Sequence, residues 1–259
     1  MSRISEAFGA GKAFIPFIAG GDPDLETTEK LLYTLSDAGA DIIEIGVPFS
    51  DPIAEGPVIQ EADERALKAG CTVEGLFELA ARVKPRIKAP LLFMTYYNPV
   101  FVYGNEKFAG KCAVNGLEGL IVPDLPFEER EELLTHCMSH GLELISLIAP
   151  TSDTRIEKIV RDSTGFIYCV SSLGVTGQRS KLDTSARGMV EKAKRIKDIP
   201  CAVGFGISTP DQARAMASFS DGVIVGSAIV RIVSEFGASC VNPVYQFAAA
   251  IKEAVSNLS

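Results

Sequence analysis

The sequence predicts an α/β fold, a single (β/α)8 barrel of the TIM type with extra short helices. Three observations predict this fold: a length of 259 residues of which 47% are hydrophobic, eight short apolar runs that alternate with segments of helical period, and three junctions that resemble one another. Alternation of this kind is typical of parallel strands joined by helices. Since such barrels take about 250 residues, we expect one domain over residues 1–259.

The apolar runs give the expected strands in order. They are Ala13–Ala19, Asp41–Val47, Pro90–Thr95, Leu117–Val122, Leu142–Leu147, Gly165–Val170, Pro200–Gly204 and Gly222–Val225. The first intervening segment, 25–38, has Leu31, Leu35 and Ala38 at helical spacing, and Gly39 follows where a left-handed residue often ends a helix. This segment is therefore predicted to be a helix.

Three helix-to-strand junctions share a glycine followed by an apolar strand. They read AGADIIEIG at 38–46, NGLEGLIVPD at 115–124 and SDGVIVGS at 220–227. Repeated βα units of this kind favour a closed barrel. The competing architecture, an open doubly wound sheet, lacks its fingerprint here, because the residues after the first strand are Gly20-Gly21-Asp22-Pro23 and not GxGxxG.

Composition excludes several classes of function. The formal net charge of -8 and the pI near 5.0 disfavour a nucleic-acid partner, although backbone N–H groups at helix N-termini can still bind a phosphate ester. The six cysteines have no metal-site or disulfide spacing, and His136 and His140 fit a solvated helix face, so we expect no metal. Because the chain has no membrane-length apolar run and no signal-peptide pattern, we expect a cytoplasmic protein with no membrane partner.

Glu44 is the polar residue most clearly out of place. It interrupts the apolar strand at 41–47, and alternation along a strand sets Ile43 and Ile45 on the face opposite to it. If the isoleucines pack against helices, Glu44 points into the barrel. A carboxyl group there would lose hydration, which raises its pKa and suits a group that both gives and takes a proton. A surface glutamate on an exposed edge is the alternative, but a closed barrel has no edges.

The loop that follows, PFSDPIAEGPVIQ at 48–60, carries two further acids, Asp51 and Glu55, among three prolines. A loop stiffened by prolines can hold a second carboxylate over the strand ends, although acids and prolines in loops are often only turn residues. Composition alone does not choose between Asp51 and Glu55.

Glycines after the last three strands predict a phosphate site. The segments are Gly174-Val175-Thr176-Gly177, Gly204-Phe205-Gly206-Ile207-Ser208 and Gly226-Ser227. Glycine lets the backbone approach an anion closely, and a helix beginning at Ser227 would direct free N–H groups at it. Any one of these loops could serve a turn alone; three in succession favour phosphate binding. By contrast, Thr209-Pro210-Asp211-Gln212 fits plain helix initiation.

Apolar side chains near the strand ends are candidates for a ring pocket, although aromatics at such positions are more often core. They are Phe17, Ile59, Tyr96, Tyr168 and Phe205.

Seven ordered segments resemble the alpha subunits of tryptophan synthase over nearly the whole chain. They are FIPFIAGGDPD (14–24), GADIIEIGVPFSDPIAEGPVIQEA (39–62), FMTYYNPVF (93–101), GLIVPDLPFEE (119–129), SLGVTGQR (172–179), VGFGIS (203–208) and DGVIVGSAIV (221–230). The motif PFSDPxAxGPxIQ is highly specific, whereas GVTG or GFGIS alone is found in many phosphate-binding barrels.

The resemblance implies a retro-aldol cleavage of indole-3-glycerol phosphate to indole and glyceraldehyde 3-phosphate, with no cofactor in this chain. It further implies that Glu44 is the acid/base and that a second carboxylate, Glu55, steadies the positive charge at the ring nitrogen. The family's ring pocket falls on Phe17, Ile59, Tyr168, Phe205 and Ile224. Its loop and phosphate contacts fall on Thr176, Gly177, Gly206, Gly226 and Ser227.

The resemblance also implies a beta subunit as partner in an α2β2 heterotetramer, with pyridoxal phosphate in that subunit. The family docks its beta subunit on the loops after strands two and three, which here include Pro52 and Asn98-Pro99.

One residue departs from the family pattern: Glu55 stands where an aspartate is usual. The charge is kept, but the side chain is one methylene longer, and misplacement by about 1 Å can cost about a hundredfold in rate. Because the surrounding motif is intact, we expect the loop to compensate.

Three other functions share parts of this pattern. A stand-alone indole-3-glycerol phosphate lyase would have the same fold and reaction, and a non-catalytic subunit could only activate its partner. A phosphate-binding isomerase or epimerase would share the late glycine loops, but it would not need PFSDPIAEGP.

Overall fold

The strands form a closed parallel barrel in the order β1 to β8. The computed structural model describes residues 2–152, 155–170, 179–204 and 206–257, without the side chains of 179–184. The strand bounds are β1 Ala13–Ala19, β2 Ile43–Gly46, β3 Leu91–Met94, β4 Leu117–Ile121, β5 Glu143–Ile148, β6 Ile167–Val170, β7 Cys201–Gly204 and β8 Gly222–Val225. All eight predicted strands are confirmed.

Twelve α-helices surround the barrel within the described ranges. They are α1 Arg3–Glu6, α2 Leu25–Asp37, α3 Pro57–Lys68, α4 Val73–Val83, α5 Tyr97–Tyr103, α6 Asn105–Val114, α7 Glu131–Ser139, α8 Ile156–Arg161, α9 Arg179–Ile196, α10 Pro210–Ala217, α11 Ser227–Phe236 and α12 Val241–Ser256. The predicted first helix is confirmed as α2, and Gly39 has the left-handed φ of +90°. Among the helices of the described residues, none is long and apolar enough to cross a membrane.

β2 begins at Ile43 instead of the predicted Asp41, whose side chain is turned to the backbone of β1. The carboxylate of Asp41 accepts the N–H of Phe14 at 2.7 Å and pairs with Lys252. Asp221 accepts the N–H of Cys201 at 2.9 Å in the same way and pairs with Lys194. Two of the three repeated junctions therefore link the start of one strand to a neighbouring strand.

The core has two layers. An outer layer fills the space between the strands and the helices and includes Ile43, Ile45, Leu31 and Phe77. An inner layer fills the barrel itself, with Ile15 and Ile42 among its members.

Helix α1 closes the end of the barrel at which the strands begin. Ile4 is fully buried and packs in the inner layer with Phe166. An added Cβ at Gly119 would lie 3.0 Å from Ile4, so α1 fits closely against the strands. The carboxyl ends of the strands are therefore the end where a large cavity can form.

Candidate active site

Glu44 points into the barrel. Its neighbours Ile43 and Ile45 belong to the outer layer, and Glu44 is paired in register with Phe17 on β1 and Leu92 on β3. Its exposed fraction is 0%. The alternation along β2 therefore has the orientation that the sequence predicts.

The carboxyl group of Glu44 is buried without a partner. Neither Oε1 nor Oε2 receives a hydrogen bond. Burial raises the pKa of Glu44 well above its ordinary value of 4.5, because an apolar environment disfavours the charged form. Tyr168 lies close enough that the charge of Glu44, after burial itself, helps to raise the pKa of its phenol. Burial therefore favours the neutral, proton-bearing form of Glu44.

A cavity of about 1180 Å³ opens at the carboxyl ends of the strands. Eight of the predicted site residues line it: Phe17, Glu55, Ile59, Tyr168, Gly206, Ile224, Gly226 and Ser227. Glu44 lies just beneath this wall, one strand from Phe17. Thr176, Gly177 and Phe205 lie outside the described residues.

Glycines at the strand ends make room for the two rings in the wall. An added Cβ at Gly204 would lie 2.6 Å from the Tyr168 hydroxyl, and one at Gly46 would lie 2.6 Å from the Phe17 ring. Contacts this short do not occur between real side chains. Both rings therefore depend on neighbouring strands that carry no side chain at these positions.

The loop between β2 and α3 is held by hydrogen bonds on both sides. The N–H of Ala54 donates to the Tyr96 hydroxyl at 2.9 Å, and Gln60 Nε2 donates to the carbonyl oxygens of Glu55 and Pro52 at 2.9 and 3.2 Å. Tyr96 thus anchors the loop and is not among the cavity-lining residues. It also packs against Phe49, with ring centroids 5.2 Å apart.

The two acids of this loop have different environments. Asp51 is exposed and accepts the hydroxyl of Ser50 at 2.6 Å. Glu55 turns its Oε2 into the protein, where that atom is buried and receives no hydrogen bond. The structure therefore brings Glu55, and not Asp51, to the cavity.

Asp63 on α3 is a buried acid that the sequence reasoning missed. It is 3% exposed, and its carboxylate accepts the N–H of Phe49 at a long 3.5 Å. Burial and the adjacent Asp63 raise the pKa of Glu55 to about 8, while burial raises that of Asp63 to about 6. Helical spacing was the available signal, since Ile59, Ala62 and Ala66 on the same helix are buried as well.

The far side of the cavity has an anion-binding character. Gly226 caps α11 without a side chain, and Ser227 and Ala228 begin the helix at the cavity wall. The first N–H groups of a helix have no acceptor within it and carry its positive end. Gly206, at φ +78°, lies beside them. As predicted, Thr209 instead caps α10, accepting the N–H of Gln212.

Three arginines also line the cavity, and the sequence reasoning did not single them out. They are Arg130, Arg155 and Arg231. Arg130 is 8% exposed, donates to Ser146 Oγ at 3.1 Å and lies 3.9 Å over the Phe127 ring. Only the docking of α7 on β5 reveals its burial. No group of His, Cys, Asp and Glu within the described ranges is arranged to hold a metal ion.

Comparisons with known proteins agree with one family. The family model for the tryptophan synthase alpha chain matches residues 6–257. A tryptophan synthase alpha chain from Halalkalibacterium halodurans is 49% identical and covers 91% of this chain and 89% of its own. One from Picosynechococcus sp. is 47% identical over 99% of this chain and 100% of its own.

A solved structure agrees with this assignment. A chain in the structure of Mycobacterium tuberculosis tryptophan synthase superposes with a TM-score of 0.91 at 35% identity, covering 98% of both chains. The protein described here belongs to the tryptophan synthase alpha chain family.

Proposed function

We propose that the cavity at the mouth of the barrel binds indole-3-glycerol phosphate and that Glu44 exchanges the protons of its cleavage. As a member of its family, the chain is a lyase of tryptophan biosynthesis that produces indole and glyceraldehyde 3-phosphate. The observation that carries the assignment of roles is the carboxyl group of Glu44, which is fully buried, faces the barrel interior and has no partner.

Glu44 acts as acid and then as base. Its proton passes to C3 of the indole ring, and its carboxylate then takes the proton of the glycerol hydroxyl as the carbon–carbon bond breaks. The hydroxyl carbon becomes the aldehyde of the second product, and Glu44 ends the cycle protonated. A raised pKa supports this role because the group must hold a proton at neutral pH before it can deliver one.

Glu55 carries the second charge of the reaction. Protonation at C3 places a positive charge on the ring nitrogen, and a carboxylate at the cavity wall stabilises that charge as it develops. Glu55 is the acid of the 48–60 loop that lines the cavity, which supports this role for it over Asp51. The family usually has aspartate there, so the longer side chain needs support.

The two ends of the substrate would meet opposite walls. Phe17, Ile59, Tyr168, Phe205 and Ile224 are the proposed ring pocket, and the burial of the four described members supports it. Thr176, Gly177, Gly206, Gly226 and Ser227 are the proposed phosphate contacts. The free N-terminus of α11 supports a dianion at that end, since helix N-termini bind phosphate.

We further propose that the chain works in the cytoplasm with a beta subunit in an α2β2 heterotetramer. The chain itself would hold no cofactor, and pyridoxal phosphate would belong to the beta subunit. Exposed apolar side chains after β2 and β3 support a docking surface: Ile53 in the loop is 84% exposed, and Phe101 and Val102 on α5 are 64% and 77% exposed. Exposed apolar surface of this kind often marks a site of protein–protein contact.

A single assay tests the proposal. Indole release from indole-3-glycerol phosphate is measured for the purified chain alone and with a beta subunit, with Glu44→Gln as the inactive control. We expect turnover by the wild type and strong activation by the beta subunit. Full activity without a partner would instead favour a stand-alone lyase, and no turnover under either condition would refute the catalytic role.

A further inference from the structure

Glu55 lines the cavity, and a second acid, Asp63, is buried on the helix that follows its loop. Glu55 comes from the loop after β2, and Asp63 comes from the buried face of α3, two turns along the chain. Gln60, one turn before Asp63 on α3, donates to the carbonyl oxygen of Glu55, and Asp63 accepts the N–H of Phe49 from the same loop, so this face of α3 lies against the loop that carries Glu55. Each carboxyl group also perturbs the pKa of the other. A hydrogen bond between two carboxyl groups needs one proton on one of them, because a carboxylate can only accept.

The surroundings leave both carboxyl groups little other support. Glu55 Oε2 is buried and receives no donor, and the one backbone donor to Asp63 is the N–H of Phe49 at 3.5 Å. The loop backbone, by contrast, is anchored by Tyr96 and Gln60. These hydrogen bonds hold the loop backbone at Glu55, and they leave the position of its side chain to other neighbours.

We propose that Asp63 is a positioning residue for Glu55: the two carboxyl groups share one proton, and their hydrogen bond holds the Glu55 side chain at the cavity wall. This inference rests on the proposed role of Glu55. It supplies the support that a side chain one methylene longer than aspartate needs.

The charges around the pair agree with a single shared proton. Burial, followed by the charge of Asp63, raises the pKa of Glu55 to about 8, whereas that of Asp63 is about 6. Between these values the pair holds one proton and has a net charge of -1.

Other titratable groups face the pair from neighbouring elements. Asp22, before α2, also raises the pKa of Asp63, but it is paired with Arg65 at 2.8 Å. Burial, with a smaller contribution from the charge of Asp63, raises the pKa of Cys71 to about 11 and that of Tyr96 to about 12. Both stay neutral over the working range of the pair, so the shared proton stays between Glu55 and Asp63.

The pair also explains how Glu55 can serve as a carboxylate below its own pKa. As positive charge develops on the ring nitrogen, the O–H bond of Glu55 breaks and an O–H bond forms on Asp63. The anion then faces the ring, and the net charge of the pair does not change. No proton is exchanged with water during this step.

The test compares kcat/KM for indole-3-glycerol phosphate cleavage in Asp63→Asn and wild type from about pH 6 to about pH 9, with the beta subunit present. Dividing kcat/KM of the variant by that of the wild type at each pH removes the pH dependence that comes from Glu44, because both enzymes contain Glu44. Glu61→Gln is the matched control, because Glu61 is exposed on the same helix and loses the same charge.

We expect kcat/KM of Asp63→Asn, divided by that of the wild type, to rise by about tenfold or more from the low end to the high end of this pH range. At low pH the amide oxygen of the variant can accept a hydrogen bond from Glu55 but cannot take its proton, so Glu55 stays neutral as the ring becomes charged. At high pH the amide introduced by the substitution can donate to ionised Glu55, whereas the wild-type pair is doubly charged and no longer hydrogen-bonded. The loss at low pH should fall on kcat more than on KM, because the charge on the ring exists only in the transition state.

A flat ratio, like that of Glu61→Gln, would overturn the inference while leaving the proposed function intact; absence of wild-type turnover would instead defeat the proposed function. A second measurement needs no folded variant at position 63. The Glu55 carboxyl carbon is followed by NMR in wild type, assigned by its loss in Glu55→Gln. Titration near pH 8 supports the shared proton, and a single step near 4.5 refutes it.

Discussion

Phe17 and Glu44 are paired in register across β1 and β2, so an aromatic ring and a buried acid lie side by side inside the barrel. Phe17 reaches the cavity wall, and Glu44 lies beneath it without a hydrogen-bond partner. An apolar ring bound on Phe17 would therefore rest within reach of a proton donor.

Replacement of the acid tests the proton transfer itself. Glu44→Gln keeps the shape of the side chain and removes its proton, so we expect kcat to fall by about 10²- to 10⁴-fold or more while the substrate still binds. Calorimetric titration with substrate and steady-state kinetics measure the two effects. Retained turnover would move the acid/base role to another group.

The same variant should change how stability depends on pH. Because burial raises the folded-state pKa of Glu44 above 4.5, the unfolded state ionises first as pH rises. Wild-type stability is therefore lost progressively from about pH 4.5 upward, until the folded state ionises too. Urea unfolding should show that this loss is smaller in Glu44→Gln. Equal slopes in the two proteins would mean that Glu44 ionises freely in the fold.

Shortening the second acid should not improve the enzyme. Glu55→Asp restores the residue usual in the family, but it withdraws the carboxyl group by one methylene from Asp63. We expect kcat equal to or below that of the wild type, measured with saturating beta subunit. A variant many times faster would show that the loop has not compensated for the longer side chain.

A methyl group at Gly204 should disturb the ring pocket. The added Cβ would lie 2.6 Å from the Tyr168 hydroxyl, and overpacking of this kind costs about 1–3 kcal/mol in the free energy of unfolding. We expect Gly204→Ala to be less stable and to have a higher KM. Gly188→Ala is the control: nothing lies within 4 Å of its added Cβ, and alanine in a helix gains about 0.5–1 kcal/mol.

A negative charge at the start of α11 should affect stability and binding in opposite directions. Ser227 is exposed and is the first residue of the helix. An acid there stabilises a helix by about 0.3–1 kcal/mol, yet it would repel a phosphate bound at the same N–H groups. We expect Ser227→Asp to melt no lower than wild type while its KM rises, and neutral Ser227→Asn to change KM less. Unchanged KM in Ser227→Asp would place the phosphate elsewhere.

Much of the fold and part of the site followed from local patterns in the sequence. Apolar runs and helical spacing predicted all eight strands and the helix before Gly39, and alternation along one strand predicted that Glu44 points inward. The roles of Thr176, Gly177 and Phe205 stay predictions, as does the single domain. These inferences needed only the repeat of side-chain direction along a strand or helix, which each segment contains within itself.

The tertiary structure alone decided which acids meet. Asp51 and Glu55 were equivalent in the sequence, but loop anchoring by Tyr96 and Gln60 turns only Glu55 to the cavity. The packing of α3 then brings Asp63 close to Glu55. The periodicity of a strand or a helix does not predict this proximity, because Glu55 lies in a loop and Asp63 in a helix. The perturbed carboxyl pair results from burial and proximity, and both arise only when the barrel has closed and its loops lie over the strand ends.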